Sequence, residues 1–154
     1  MNKEFDELTG ILKDLANLQG SELLTRANSN MASTLLKDIE DCFENESDAK
    51  GNKWAKRKDK KDHKLLFNTG DLGNHWDTKA DNKGFFVFNN RGKSKSGFSY
   101  GLSHQFGSKN GIPARPFLPI KGETIQNAEL NDEIKEKLLK ELENTIKRAL
   151  KISK

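Results

Sequence analysis

The side chains whose type and placement could serve nucleophilic, proton-transferring or metal-ligating chemistry in this 154-residue chain are one cysteine, Cys42, three histidines, His63, His75 and His104, and, near His75, the aspartates Asp71, Asp77 and Asp81. A cysteine nucleophile needs a cationic neighbourhood to form its thiolate, and Cys42 stands among Glu40, Asp41 and Glu44. It reads as a small apolar residue on the edge of a helical stripe. No two histidines lie three or four residues apart and Cys42 has no companion cysteine, so zinc-ligand spacing is missing. A histidine joined by these aspartates would be the raw material of a hydrolytic metal site, with His104 and Asp71 as first candidates. Arg91-Gly92-Lys93-Ser94 carries the Gly-Lys-Ser of a phosphate-binding loop. Val87 stands where that pattern demands its first glycine, and Gly97 opposes the helix that should follow. The string reads as a basic turn. No Ser/His/Asp order carries a Gly-x-Ser-x-Gly elbow. These residues predict no enzyme, no metal, no cofactor and no small-molecule substrate.

Charge and proline placement say more. Lys50 to Lys64 holds eight Lys or Arg and two Asp, densest at Lys56-Arg57-Lys58 and Lys60-Lys61, with Trp54 beside them. Phosphate neutralisation by such a run is a nucleic-acid footprint, although one aromatic and no recognition-helix period weaken it. In Ile112-Pro113-Ala114-Arg115-Pro116-Phe117-Leu118-Pro119, prolines at every third position pre-set an extended backbone without internal hydrogen bonds. Such a string is either a ligand for a proline-reading domain or a rigid segment that packs Phe117 and Leu118 on the core and projects Arg115. The size of Phe117 and Leu118 favours the second.

The length suits one domain. Apolar residues make up 33% and charged residues 32%, with a single Val beside 18 Leu, a balance that favours helices over extensive sheet. No apolar run approaches the ~18 residues of a membrane span. The acidic start predicts no secretion signal, and one cysteine excludes an intrachain disulfide and suits the cytosol.

Phe5, Leu8, Leu12 and Leu15 space a first helix that Gly20 stops. Ser21 caps a second, with the stripe Leu24, Ala27, Met31, Leu35, Ile39 and Phe43. Residues 45–64 show no period and read as a basic surface loop or arm. Leu65-Leu66-Phe67 begins a short buried element. Residues 70–122 hold nine of the twelve glycines and all three prolines. There Gly84–Phe88 is the best strand, Asn74–Thr78 its antiparallel neighbour, and Asn89–Gly92 a turn. Asn131 caps a last helix with Ile134, Leu138, Leu142, Ile146 and Leu150 on one stripe. The expected fold is one α+β domain over 1–154. It is helical over 1–44, a basic arm over 45–64, a small mainly antiparallel sheet with long loops over 65–122, and a C-terminal helix packed on the sheet over 123–154. The expected core is Trp54, Leu66, Leu72, Trp76, Phe86, Phe88, Phe106 and Phe117.

Four strings in order give a resemblance. They are Gly51-Asn52-Lys53-Trp54, then Leu65-Leu66-Phe67-Asn68-Thr69-Gly70-Asp71-Leu72, then Tyr100-Gly101-Leu102-Ser103-His104-Gln105-Phe106-Gly107, and finally Ile112–Leu118. Together they resemble the phage virion morphogenesis family, the tail completion proteins of Mu-like phages and prophages. Gly101 departs from the alanine common after the tyrosine. The resemblance implies a structural protein that completes the tail and helps join it to the DNA-filled head. It would assemble in the host cytoplasm and end in the virion as a ring of copies at the tail's head-proximal end. The implied partners are further copies of itself and tail-tube or connector proteins, with DNA as a further partner of the lysine arm. No catalytic residue is implied. The charge distribution fits head-to-tail contact, since residues 1–48 carry 4 basic and 11 acidic groups and residues 49–121 carry 16 basic and 5 acidic. The expected contact residues are Lys56, Arg57, Lys58, Arg91, Lys93, Tyr100 and Arg115. The rival readings are a DNA-binding accessory protein and a metal-dependent nuclease.

Overall fold

A 24-residue helix, α1 (Glu22–Asn45), is the spine of the computed structural model, which describes residues 10, 13, 22–92, 94–97 and 99–149. The helix expected over residues 5–18 lies outside the described residues apart from Gly10 and Lys13, as do the Ser21 cap, Lys93 and Leu150. The stripe of α1 buries Ala27, Ile39, Cys42 and Phe43 as its spacing predicts, but at its start Leu23 is buried while Leu24 is exposed. The helix ends on a left-handed residue, Glu46 (φ 49°), and Ser47 N–H donates to the Cys42 carbonyl at 3.1 Å. That is the geometry in which glycine usually stands. Glu46 has a reason to be there, because its Oε1 accepts the Leu65 N–H at 2.6 Å and ties the helix end to the next buried element.

The 5-residue strands β1 (Trp76–Ala80) and β2 (Phe85–Asn89) form an antiparallel hairpin in which Thr78 faces Val87 and Lys79 faces Phe86. A two-stranded ribbon is marginal alone, and this one packs on α1 with Trp76 and Val87 against the core. The alternation of a strand then decides where each phenylalanine goes. Phe86, expected in the core, points the other way and is 72% exposed. Phe88 shares that outer face, half-buried, with the Lys79 ammonium 5.7 Å from its ring centroid. Phe106 is also only half-buried.

Two short helices were not legible in the sequence, α2 (Asp71–Asn74) and α3 (Tyr100–Phe106). Beyond them β3 (Ile120–Lys121) and β4 (Glu129–Leu130) make a second two-stranded pairing. The last helix, α4 (Asp132–Ala149), starts where expected, with Asn131 Oδ1 accepting the Ile134 N–H at 2.9 Å. It packs chiefly along α1, whereas the sequence predicts packing on the sheet. The two helices run antiparallel, with Asn30 donating to Thr145 at 3.0 Å and Lys137 paired with Asp38.

The core gathers Ile39, Cys42, Phe43, Trp54, Leu65, Leu72 and Phe117. Phe43 is its hub, with ring centroids 5.7 Å from Trp54, 6.0 Å from Phe67, 6.5 Å from Trp76 and 5.0 Å from Phe117. Edge and tilted contacts of this kind add about 0.5–1.5 kcal/mol each beyond the area they bury.

Candidate interaction surface

Proline removes a backbone donor, so the extended segment 112–119 has few N–H groups, and each buried one needs an acceptor. Helix α3 supplies them. The Arg115 N–H donates to the His104 carbonyl at 2.6 Å. The buried Gln105 accepts the Phe117 and Leu118 N–H groups on one Oε1, at 3.0 and 2.9 Å, and donates from Nε2 to the Leu118 carbonyl at 3.3 Å. Helix and segment can lie this close because Gly107 ends α3 at φ 78°, where a Cβ would stand 3.2 Å from the Ile112 carbonyl oxygen. Gly101 is close-packed too, since a Cβ there would meet a Leu72 methyl at 3.3 Å.

From the other side the segment is held by the 54–56 stretch. Trp54 Nε1 donates to the Pro116 carbonyl at 2.7 Å. Arg115 donates from Nε to the Ala55 carbonyl at 3.0 Å and from Nη2 to that of Lys56 at 3.5 Å. Arg115 was expected to project; it is 8% exposed. The extended chain alternates, so Arg115, Phe117 and Pro119 all lie on the buried side. The four strings that carried the resemblance therefore meet in one place, around Phe117 and Trp54.

The basic arm is ordered by its own side chains. Asp48 Oδ1 accepts the Lys50 and Asn52 N–H groups at 2.8 and 2.9 Å. Partial burial pushes its carboxyl up, but these bonds and the Asn52 side chain outweigh it and hold the group below its ordinary value. Further on, Arg57 Nη1 donates to the carbonyls of Lys61 and His63 at 3.1 and 2.6 Å, and its Nε lies 2.6 Å from Asp59 Oδ1. Arg57 thus closes the loop, and Lys56, Lys58, Lys60 and Lys61 remain on its exposed side.

Between this loop and the proline segment lies a depression of about 380 Å³ that brings together Arg57, Lys58, His63, His104 and Arg115, with Leu66, Ile112 and Pro113 in its wall. Burial first, and then the Arg115 charge, push the His104 imidazole below its ordinary value. Burial, then Arg57, likewise lowers Arg115. His104 Nδ1 is shielded from solvent and has no hydrogen-bond partner. Sequence reasoning named Lys56, Arg57, Lys58 and Arg115 but missed the part played by His63, His104 and Gln105. Gln105 alone left a signal, as a polar residue just before a segment rich in prolines.

The other expected contacts are elsewhere. The Tyr100 hydroxyl donates to the Arg91 carbonyl, and Arg91 Nη1 lies 3.5 Å from Asp71 Oδ1. The Thr69 hydroxyl, with Arg91, holds the Asp71 carboxyl below its ordinary range. An acidic counterpart to the basic depression, about 320 Å³ and lined by Asp38, Asp41, Asp48 and Glu133 with Lys137, lies at the end of α1. Cys42 borders it, and burial, then Asp48, push its thiol up to about 12. At that value it is no nucleophile near neutrality. Among the described residues no group of three His, Cys, Asp or Glu side chains is placed to hold a metal ion, and no helix is long and apolar enough to cross a membrane.

Comparison with curated proteins and with solved structures finds no match. A family model does match, and it covers residues 3–150, nearly the whole chain and all four motif strings. By that match the chain belongs to the phage virion morphogenesis family.

Proposed function

We propose that this virion assembly protein completes the phage tail and helps join it to the head, as a structural subunit acting by self-assembly and by contact with tail-tube or connector proteins. The convergence of the motif strings is the observation that carries the reading. Trp54 and Gln105, far apart in sequence, both bind the backbone of the triple-proline segment, and Arg115 within it reaches back to the Ala55 carbonyl. Side chains used in this way fix a shape, and a pre-formed shape docks with less ordering cost than a flexible one. The acidic depression at the end of α1 and the basic one beside the 57–65 loop give a single chain two surfaces of opposite charge.

The test is deletion of the gene from an inducible prophage, with lysates viewed by electron microscopy. Separate heads and tails, rejoined when the gene is supplied in trans, are the expected outcome. Intact infectious particles from the deletion strain would overturn the reading.

A further inference from the structure

We infer that the depression between the 57–65 loop and the 111–115 segment, with the lysines around it, is a binding site for the phosphodiester backbone of duplex DNA. The first ground is the concentration of like charge. Arg57, Lys58 and Arg115 line one cavity of about 380 Å³ together with the imidazoles of His63 and His104, and Asp59, already paired with Arg57 Nε, is the acid among its lining residues. Partly buried cations crowded together are costly in isolation and become favourable when an anion completes the set. Arg115 is only 8% exposed and uses Nε and Nη2 on backbone carbonyls, and among the described residues Nη1 has no hydrogen-bond partner. A held guanidinium with donors to spare is suited to phosphate oxygens.

The second ground is what surrounds the cavity. The positive surface continues onto Lys56, Lys58, Lys60 and Lys61, all exposed on a loop that Arg57 holds closed. Interfaces between proteins are poor in lysine and rich in aromatics at their centre, whereas protein–DNA interfaces are polar and strongly positive. This surface is of the second kind. Trp54, the arm's one aromatic, is 6% exposed and donates to Pro116, so no base can stack on it. Without a stacking platform the site reads backbone, which selects duplex over single strands and carries no sequence preference. The inference stands apart from tail joining, because a DNA contact can fail while head–tail attachment still requires the protein.

Fluorescence anisotropy of a labelled 30-base-pair duplex with the full chain tests it. Four lysines and the cavity would neutralise about five phosphates, so log K should fall with log salt at a slope of about −4.5, roughly 500-fold between 50 and 200 mM. Replacing Lys56, Lys58, Lys60 and Lys61 together by Gln should weaken binding at least ~10-fold and bring the slope near −1, with an unchanged melting temperature. A control removes the same charge elsewhere, through Lys37, Lys83, Lys95 and Lys140 to Gln, and should keep most of the affinity. Equal loss in both quadruple variants would mean that net charge alone attracts DNA and would overturn the site. Undetectable or salt-insensitive binding would overturn it too. So would a polyglutamate peptide that competes as well as duplex DNA, which would assign the surface to an acidic protein segment.

Discussion

Gln105→Met is the most direct probe of how the proline segment is held. The side chains are similar in volume, so the exchange leaves little cavity and isolates the polar contribution. Gln105 is 4% exposed, and its Oε1 takes both the Phe117 and the Leu118 N–H. Methionine leaves those two donors without partners in a place with little access to water, while the Leu118 carbonyl keeps the Ile120 N–H at 2.8 Å. Each stranded group costs about 1–3 kcal/mol, so the two N–H groups alone imply a loss of about 4 kcal/mol. For a chain of this length that lowers the melting midpoint by about 12 °C. Urea unfolding followed by circular dichroism should show the midpoint falling with an unchanged slope, because the native and unfolded surfaces stay the same. Hydrogen exchange should show the Phe117 and Leu118 amides losing protection ahead of those in α1. A loss below about 1 kcal/mol, or undiminished protection at those two amides, would refute the account of Gln105 as the clamp.

Three further outcomes follow from the same geometry. Arg115→Ala removes charge-assisted bonds to two carbonyls from a residue almost wholly buried, and should destabilise by about 2–4 kcal/mol in urea titrations. Arg115→Lys cannot reproduce the fork and should recover little of it, so wild-type stability in either variant would contradict the assignment. Phe43→Ala empties the hub of four aromatic contacts and should cost about 3–5 kcal/mol, whereas Phe86→Ala on the exposed face should change the same measurement by less than about 0.5 kcal/mol. The third concerns pH. His104 is held below its ordinary value of 6.5 when folded. The unfolded chain therefore binds the proton more readily, and the associated stability is complete above about pH 6.5 and lost as pH falls through the lower folded value. Melting temperatures between pH 7.5 and 5.5 should decline in the parent protein and decline less in His104→Gln. An identical slope in the two would show that this imidazole is not the group responsible.

A virion assembly protein must present a defined surface to its neighbours, and here that definition is internal. The same residues that stiffen the 112–119 segment also position the basic loop beside it, since Arg115 bonds Ala55 and Lys56 while Trp54 bonds Pro116. A mutation at Arg115 or Gln105 is thus expected to disturb partner contacts indirectly, through the shape of the surface.

Local physics makes much of this legible in the sequence. Period placed α1 and α4, and capping the start of α4 at Asn131, because helix energetics depend on neighbours three and four residues away. Composition and glycine spacing placed the hairpin, and the acids around Cys42 excluded a thiolate. The face that a strand turns inward is a different matter. Gly84-Phe85-Phe86-Val87-Phe88 is apolar throughout, so nothing in it says that Phe86 faces out; packing on α1 decided that. The burial of Arg115 and Gln105 was likewise decided by tertiary structure, because a polar side chain is stable inside only when distant backbone groups satisfy it. Those groups lie 60 residues away at Ala55, and 12 and 13 away at Phe117 and Leu118. The gathering of Arg57 and Arg115, with His63 and His104, around one cavity has the same origin, since folding alone brings together two guanidinium charges that repel and that no local pattern could have paired.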